Sequence, residues 1–363
     1  MTAMKQARRL RKPTVNSFIN YAIVIVAFIA VQILVGQDMI SNSMQSMLVP
    51  VCCYIVMAVS LNLTVGILGE LSLGHAGFMS LGAFSGIIVS TALKDVVTAD
   101  PLRLLIAMLV GAVMGGIGGV IVGLPVLRLR GDYLAIVTLA FGEIIKNVIM
   151  VLYVGIDGDG LHMATKEANL VLAEDGVAII KGPMGAVGVT KISSFTAGLV
   201  LILITLFVVQ NLVDSRAGRA ILSLRDNRIA AESCGINVTK YKLMAFVASA
   251  VLAGAAGALY GLNYSSTVAS KFDFNTSILV LVYVVLGGLG SIRGSIIAAA
   301  VLTLLPEMSF MRSSSLKDYR MLLYAVILIL VMLVTNNPTL RGVINMVSKK
   351  FKGSKKQEGG AAQ

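Results

Sequence analysis

The sequence predicts an all-α protein: a polytopic transmembrane helical bundle with about ten spans and both termini in the cytoplasm. Three observations lead to this prediction. Hydrophobic residues make up 57% of the 363 residues and charged residues only 13%, whereas soluble domains contain about 25% charged residues. The apolar residues form runs that are long enough to cross a bilayer. Lys and Arg are concentrated in alternate loops, as the positive-inside rule describes for cytoplasmic segments.

Windows of about 19 residues locate ten candidate spans. They lie near residues 18–35, 44–66, 71–93, 103–127, 133–153, 192–213, 241–263, 276–289, 295–311 and 320–336. The eighth and ninth are short and only GLGSIRG separates them, so this pair forms either two crossings or a re-entrant, broken segment. The first run follows a basic tail and resembles a signal peptide. Its length and the lack of a small-x-small cleavage motif after it indicate a retained span.

Placing the N-terminus inside puts twenty of the 30 Lys and Arg in cytoplasmic segments. These segments include a basic tail at 1–17, a polar loop at 214–240 and a basic low-complexity tail at 341–363. Residues 18–340 form one transmembrane domain between the tails. The long external loop, 154–191, contains many of the acidic residues, namely Asp157, Asp159, Glu167, Glu174 and Asp175.

Several kinds of chemistry have no support in the sequence. It contains no GxxxxGK[ST] motif for binding a nucleotide. His75 and His162 join no Ser/His/Asp or Cys/His group, and the three cysteines form no CxxC or zinc pattern. The net charge of +12 follows from the positive-inside bias and does not indicate nucleic acid as a partner. We therefore predict that the chain is not an enzyme and holds no metal or cofactor of its own.

The stretch GRAILSLRDNRIAAESCGINVTK, residues 218–240, is a polar island between two long apolar runs. Ser215 is predicted to cap one helix, and Asp226 or Asn227 a second helix. Gly235 follows where the end of a helix favours a positive φ. A connector between antiparallel helices needs only about 2–8 residues. This longer, capped loop is either a rigid element that docks into a groove on a soluble partner or a connector along the membrane surface.

Four segments resemble the LivM-type permeases of ATP-binding-cassette (ABC) importers for branched-chain amino acids. They are RAILSLRDNRIAAESCGINVTKYKLMAFVASAVLAGAAGALYG, LNLTVGILGELSLGHAGFMSLGAF, GLPVLRLRGDYLAIVTLAFGEIIKNV and LGGLGSIRGSIIAAAVLTLLPE. The similarity extends from about residue 44 to residue 340. It implies the ABC importer permease fold with inverted-repeat character, in a multi-pass protein of a prokaryotic inner membrane.

The resemblance also implies how such a subunit works. It pairs with a second, LivH-type permease in the lipid bilayer and forms a path for Leu, Ile or Val. Two partner subunits bind ATP and Mg and hydrolyse the ATP, and an external solute-binding protein delivers the amino acid. The resemblance assigns ATPase coupling to six residues of the polar island, namely Arg225, Asp226, Ala230, Ala231, Glu232 and Gly235.

The solute and the energy source have alternatives. Related permeases serve urea, short amides or other amino acids, and here the Gly-Pro element of the external loop comes late, as KGPMG at 181–185, after an apparent insertion. A different class is an ion-coupled secondary transporter, which needs several intramembrane carboxylates or histidines as a relay. The spans offer little for such a relay beyond Glu70 and Glu143.

Five polar residues are candidates for the translocation path or its gate, namely Asn62, Glu70, Ser72, His75 and Glu143. Glu70, Ser72 and His75 lie at a Gly-rich break between two spans, which either lines a gate or packs tightly. Asn62 needs a hydrogen-bond partner and is also a candidate for joining helices.

Glu143 and Lys146 lie three residues apart on one face of the fifth span. Either charge alone in hydrocarbon costs at least about 2.5–3.5 kcal/mol. The two residues therefore form a structural pair or a subunit contact, or they take part in the path with the charges of a zwitterionic solute.

Overall fold

A computed structural model describes residues 2–37, 42–94, 96–127, 132–158, 160–167 and 176–305, together with Val326 and Ile329. The end of the ninth predicted span, nearly all of the tenth and the C-terminal tail lie outside the described residues. So do Asp159, Glu174 and Asp175 of the predicted external loop.

The described residues form a helical bundle with one small sheet. The helices are α1 (Thr2–Gly36), α2 (Asn42–Asn62), α3 (His75–Ala92), α4 (Asp100–Val126), α5 (Asp132–Val151), α6 (Phe195–Asp214), α7 (Arg216–Asp226), α8 (Arg228–Ser233), α9 (Val238–Gly261), α10 (Phe274–Gly287) and α11 (Ile292–Leu304). A π-helix, Leu63–Leu68, continues α2 directly, and short 3₁₀ turns form at Gly182–Met184 and Ala269–Lys271.

Eight helical segments of the described residues are long and apolar enough to cross a membrane. They are Phe18–Gly36, Met44–Leu68, His75–Ala92, Asp100–Val126, Tyr133–Val151, Phe195–Asp214, Val238–Gly261 and Ala269–Gly287. They match the first eight predicted spans, and the apolar helix α11, of 13 residues, matches the described part of the ninth. The polytopic helical fold is confirmed, while the number of ten spans and the location of both termini stay predictions.

Contacts within the chain bring the predicted cytoplasmic segments to one end of the bundle. Arg225 of α7 donates a hydrogen bond to the carbonyl oxygen of Gly66 in the π-helix, at 3.2 Å. The amide of Gly290, between α10 and α11, donates to Asn62 Oδ1 at 2.9 Å. Arg293 at the start of α11 also donates a hydrogen bond to the Asn20 side chain in α1. This end of the bundle therefore contains part of α1, the end of α2, the α7–α8 segment and the α10–α11 turn.

Helices α3, α4 and α9 pack closely together, because glycines let their backbones touch. A Cβ atom at Gly82 would lie 1.9 Å from the carbonyl oxygen of Gly254, and one at Gly254 would lie 2.2 Å from that of Gly111. Helices in lipid associate through such small residues because the bilayer supplies little hydrophobic driving force between them. These three helices form a closely packed centre of the described bundle.

The predicted external side carries a small antiparallel sheet, which the all-α prediction did not include. Its strands are β1 (Tyr153–Asp157), β2 (Gly160–Ala164), β3 (Val177–Lys181), β4 (Ala186–Val187) and β5 (Ser266–Thr267), in the order β2-β1-β3-β4-β5. Tyr153 of β1 lies opposite both Ala164 of β2 and Lys181 of β3, and Val187 lies opposite Ser266. Strand β5 thereby ties the predicted external loop to the connection between α9 and α10.

Candidate functional site

The polar segment 214–240, called the coupling loop below, folds as two capped helices, as its sequence predicts. Ser215 Oγ accepts a hydrogen bond from the amide of Gly218 at 3.1 Å and starts α7. Asn227 Oδ1 accepts one from the amide of Ala230 at 3.0 Å and starts α8. Of the two residues predicted to cap the second helix, Asn227 is therefore the cap. Such caps stabilise a helix by about 1 kcal/mol each and hold the loop in one shape.

A Schellman motif ends α8 at the predicted glycine. The Gly235 amide donates to the Glu232 carbonyl at 2.9 Å, and the Ile236 amide donates to the Ala231 carbonyl at 3.1 Å. Gly235 has a φ of +80°, which costs a residue with a Cβ atom about 1–2 kcal/mol. The predicted conformation of Gly235 is confirmed.

The six residues that the resemblance assigned to ATPase coupling point in two directions. The exposed ones are Arg225, Asp226, Ala230, Glu232 and Gly235. Ala231 is buried in a small cluster with Leu224 and Val238, so it supports α8 from behind. The Arg225 side chain is 40% exposed and also contacts the chain itself, since its Nη1 donates to the carbonyl oxygen of Gly66.

Helix α8 presents one large apolar side chain that sequence reasoning did not assign to coupling. Ile229 is 77% exposed, and Arg228 and Glu232 form an ion pair at 3.0 Å on the same helix. The exposed residues around Ile229 form a surface called the docking face below. It consists of Ile229, Ala230, Glu232, Ser233 and Cys234. The sequence alone did not reveal it, because only the burial of Ala231 fixes which side of α8 points outward.

Glu70, a predicted path or gate residue, forms an ion pair with Lys242 near the start of α9. The Lys242 side chain is 5% exposed and that of Glu70 18%. The pair joins the irregular segment between the π-helix and α3 to one of the three central helices. No contact of Lys242 was predicted from the sequence, although a lysine at the start of an apolar span is a signal for a charged partner.

Three other predicted path or gate residues lie in the interior of the subunit. Asn62 is fully buried and accepts the hydrogen bond from the Gly290 amide. His75 is buried, with Nε2 at 2.8 Å from Ser60 Oγ. Ser72 is buried, and its hydroxyl has no hydrogen-bond partner among the described residues. In this conformation the three side chains pack within the chain and do not line an open passage.

Glu143 and Lys146 form the ion pair that their spacing predicts. Glu143 makes a second contact, because its Oε1 accepts a hydrogen bond from the amide of Phe274 at 3.0 Å. Phe274 is the first residue of α10, so this helix starts at the depth of the middle of α5. Helix α10 has 14 residues and is about 21 Å long, shorter than the hydrocarbon core of about 30 Å. The segment Ala269–Gly287 reaches its 19 residues only because a 3₁₀ turn and irregular backbone precede α10.

The start of α10 leaves polar groups at the surface of the membrane-spanning part. Asn275 is exposed and donates to Asp273 Oδ2 at 2.8 Å, and the Glu143 side chain is 30% exposed. Polar groups and irregular backbone at this depth need protein or water around them. This surface is called the polar membrane face below, and it consists of Glu143, Lys146, Asp273, Phe274 and Asn275. Sequence reasoning missed Asp273 and Asn275, which it placed in a loop outside the eighth span.

Residues able to hold a metal ion are sparse. Asp157 Oδ1 lies 2.9 Å from His162 Nε2 across the β1–β2 hairpin, and this pair sits in the predicted external sheet. In the part of the chain that the structure describes, no three His, Cys, Asp or Glu side chains come together as metal ligands do.

The chain is similar in sequence to known membrane permeases. The family model for the permease component of branched-chain amino acid transport systems matches residues 43–332. The high-affinity branched-chain amino acid transport system permease proteins LivM of Salmonella typhimurium and Escherichia coli are 32% and 33% identical to this chain, each over 77% of it. The chain spans 66% of the length of each of these two relatives. No solved structure matches the chain.

A more distant relative covers more of the chain. The ribose import permease protein RbsC of Haemophilus influenzae is 25% identical over 86% of this chain and 91% of its own length. The family match runs from the start of α2 past α11, across the coupling loop and the polar membrane face. With eight helical segments of membrane-spanning length among the described residues, the chain is a multi-pass protein of a prokaryotic inner membrane. It belongs to the LivM-type permease components of branched-chain amino acid ABC transport systems.

Proposed function

We propose that this chain is the membrane-spanning permease subunit of an ABC importer for Leu, Ile and Val. In this proposal an external binding protein delivers the amino acid, a second, LivH-type permease completes the path, and two partner subunits hydrolyse ATP with Mg. The observation that carries the proposal is the exposed docking face on a rigid, doubly capped loop. The chain itself has no nucleotide-binding motif, so the energy has to arrive through a contact with another subunit.

The docking face has the character of a protein contact. Its centre is the exposed side chain of Ile229, and the ion pair of Arg228 with Glu232 lies beside it. Apolar anchors surrounded by polar residues supply much of the affinity of protein interfaces. We assign an ATPase subunit as the occupant, because the loop lies on the predicted cytoplasmic side, where ATP is available.

The polar membrane face is the proposed wall of the translocation path, shared with the second permease. The supporting observation is that the Glu143 side chain is 30% exposed and Asn275 is exposed, next to the middle of α5, where lipid alone cannot satisfy their hydrogen bonds. The Glu143 and Lys146 side chains carry the two signs of charge needed to meet the ammonium and carboxylate groups of an amino acid. Closure of the ATPase pair would pull on the docked α8 and reorient the spans around this wall, which is alternating access.

Co-purification and transport together test the proposal. The tagged chain is co-expressed with two candidate ATPase subunits and a candidate LivH-type permease from the same organism, and the complex is reconstituted in vesicles. We expect the ATPases to co-purify and leucine uptake to require ATP and the binding protein. Ile229→Asp and Glu232→Arg should each abolish co-purification without affecting membrane insertion. Val96→Asp is the matched control, since Val96 is 78% exposed in the predicted external connection between α3 and α4.

Two results contradict the proposal. If no ATPase co-purifies and uptake survives ATP depletion while the proton gradient persists, the chain is an ion-coupled transporter. If uptake needs ATP but urea, a short amide, ribose or another amino acid competes better than Leu, Ile and Val, the solute assignment is wrong. ATP depletion tests the energy source, and competition against labelled leucine tests the solute.

A further inference from the structure

Arg225 makes a contact that a docking role does not explain. It lies in the last turn of α7, and its Nη1 donates to the carbonyl oxygen of Gly66 at 3.2 Å. Its Nε and Nη2 donate to Asp226 Oδ1 at 3.2 and 3.1 Å. The neighbouring carboxylate therefore holds the guanidinium in place while its remaining nitrogen reaches a residue 159 positions away. A guanidinium has enough donors in fixed directions to make both contacts at once.

The segment that Arg225 reaches is the π-helix at the end of α2. Ile221 of α7 is fully buried against Leu63, Ile67 and Leu68 of this π-helix. At Gly69 a Cβ atom would lie 2.7 Å from Arg225 Cγ, so the arginine stem fits only because this residue is glycine. The coupling loop thus holds the π-helix by an apolar contact and by a charged hydrogen bond.

The π-helix is a place where the span can rearrange. π-helical turns are rare and occur often at functional sites. The π-helix is followed by irregular backbone up to His75. The connection between α2 and α3 is therefore not helical. Two further contacts reach the same segment: the Gly290 amide donates to Asn62 Oδ1 just before it, and Glu70 pairs with Lys242 just after it.

From these contacts we infer that Arg225 is a positioning residue that transmits movement of the coupling loop to the π-helix of α2, and that it does not bind the ATPase itself. When α8 is displaced by its partner, α7 moves with it, and the bond from Arg225 moves the end of α2. The Asn62–Gly290 bond passes the movement on to the α10–α11 turn. The inference rests on the proposed function in one respect, since it requires an ATPase docked on α8.

Arg225→Met is the variant that tests this inference, measured in the reconstituted complex. It keeps a long stem against Gly69 and removes the donor to Gly66. We expect the ATPases to co-purify as before and to continue hydrolysing ATP. The number of leucine molecules transported per ATP should fall by about tenfold or more, because a charge-assisted hydrogen bond between coupled sites is lost. The ratio of leucine transported to ATP hydrolysed does not depend on the amount of folded complex. A purely structural role of Arg225 would therefore leave this ratio unchanged.

Arg219→Met is the matched control, because Arg219 lies on the same helix and, within the described residues, its side chain donates only to the nearby Asp214 carbonyl. It should leave the ratio unchanged. Arg225→Lys should restore part of the ratio, since an ammonium reaches one acceptor but not both. A normal ratio in Arg225→Met, or loss of ATPase co-purification in it, overturns the inference. If the unmodified chain brings down no ATPase, the proposed function itself fails, so the two failures are distinguishable.

Discussion

Lys242 near the start of α9 forms an ion pair with Glu70 in the irregular segment after the π-helix, 172 positions earlier in the chain. Lys242 is almost fully buried. The pair therefore holds the break between α2 and α3 against the central helices, at the end of the bundle that also carries the coupling loop.

Lys242→Met should destabilise the subunit, because it leaves the Glu70 carboxylate without its partner in a poorly solvated site. Breaking a buried pair costs about 3–5 kcal/mol. The thermal unfolding midpoint of the detergent-purified complex measures the effect. The double variant Glu70→Gln with Lys242→Met removes both charges and should recover most of the loss. If Lys242→Met unfolds at the same temperature as the unmodified protein, the pair contributes nothing to holding the break.

Glu143→Ala should disturb the start of α10 as well as Lys146, because Glu143 accepts the hydrogen bond from the Phe274 amide. The double variant Glu143→Gln with Lys146→Met keeps an acceptor for that amide and carries no charge. We expect it to assemble normally and to raise the KM for leucine uptake by about tenfold, as lost hydrogen bonds to charged groups imply. Normal assembly with an unchanged KM would show that the pair is structural only and lies off the path.

Gly235→Val should weaken ATPase association by distorting the end of α8. A β-branched residue at a φ of +80° is strained by at least about 1–2 kcal/mol, whereas asparagine tolerates this region. Gly235→Asn is therefore the control and should co-purify with the ATPases almost as the unmodified chain does. Equal behaviour of the two variants contradicts a role for this backbone conformation.

Cys234 offers a test of orientation and docking together. It is exposed on the docking face, whereas Cys52 and Cys53 are buried in α2. A membrane-impermeant maleimide should label Cys234 in inside-out vesicles and not in intact cells, and bound ATPases should protect it. Cys234→Ser should remove the label. Labelling from the outside would reverse the predicted topology, and labelling that ATPases do not reduce would remove Cys234 from the interface.

Features that depend on residues close together in the sequence were predictable from the sequence. Apolar runs separated by basic loops predicted the first eight spans, since the bilayer requires each of them to satisfy its own backbone hydrogen bonds. The caps at Ser215 and Asn227, the glycine at the end of α8 and the Glu143–Lys146 pair also followed from residues only a few positions apart.

Contacts between distant segments were decided by the tertiary structure. Helix packing alone brings Arg225 to Gly66, Lys242 to Glu70 and the Gly290 amide to Asn62, over separations of 159, 172 and 228 residues. The small sheet also escaped prediction, because strands of two residues such as β4 and β5 carry no readable alternation. Hydropathy and caps thus determined which segments become helices, and packing determined which side of each helix faces a neighbour and which remains free for a partner.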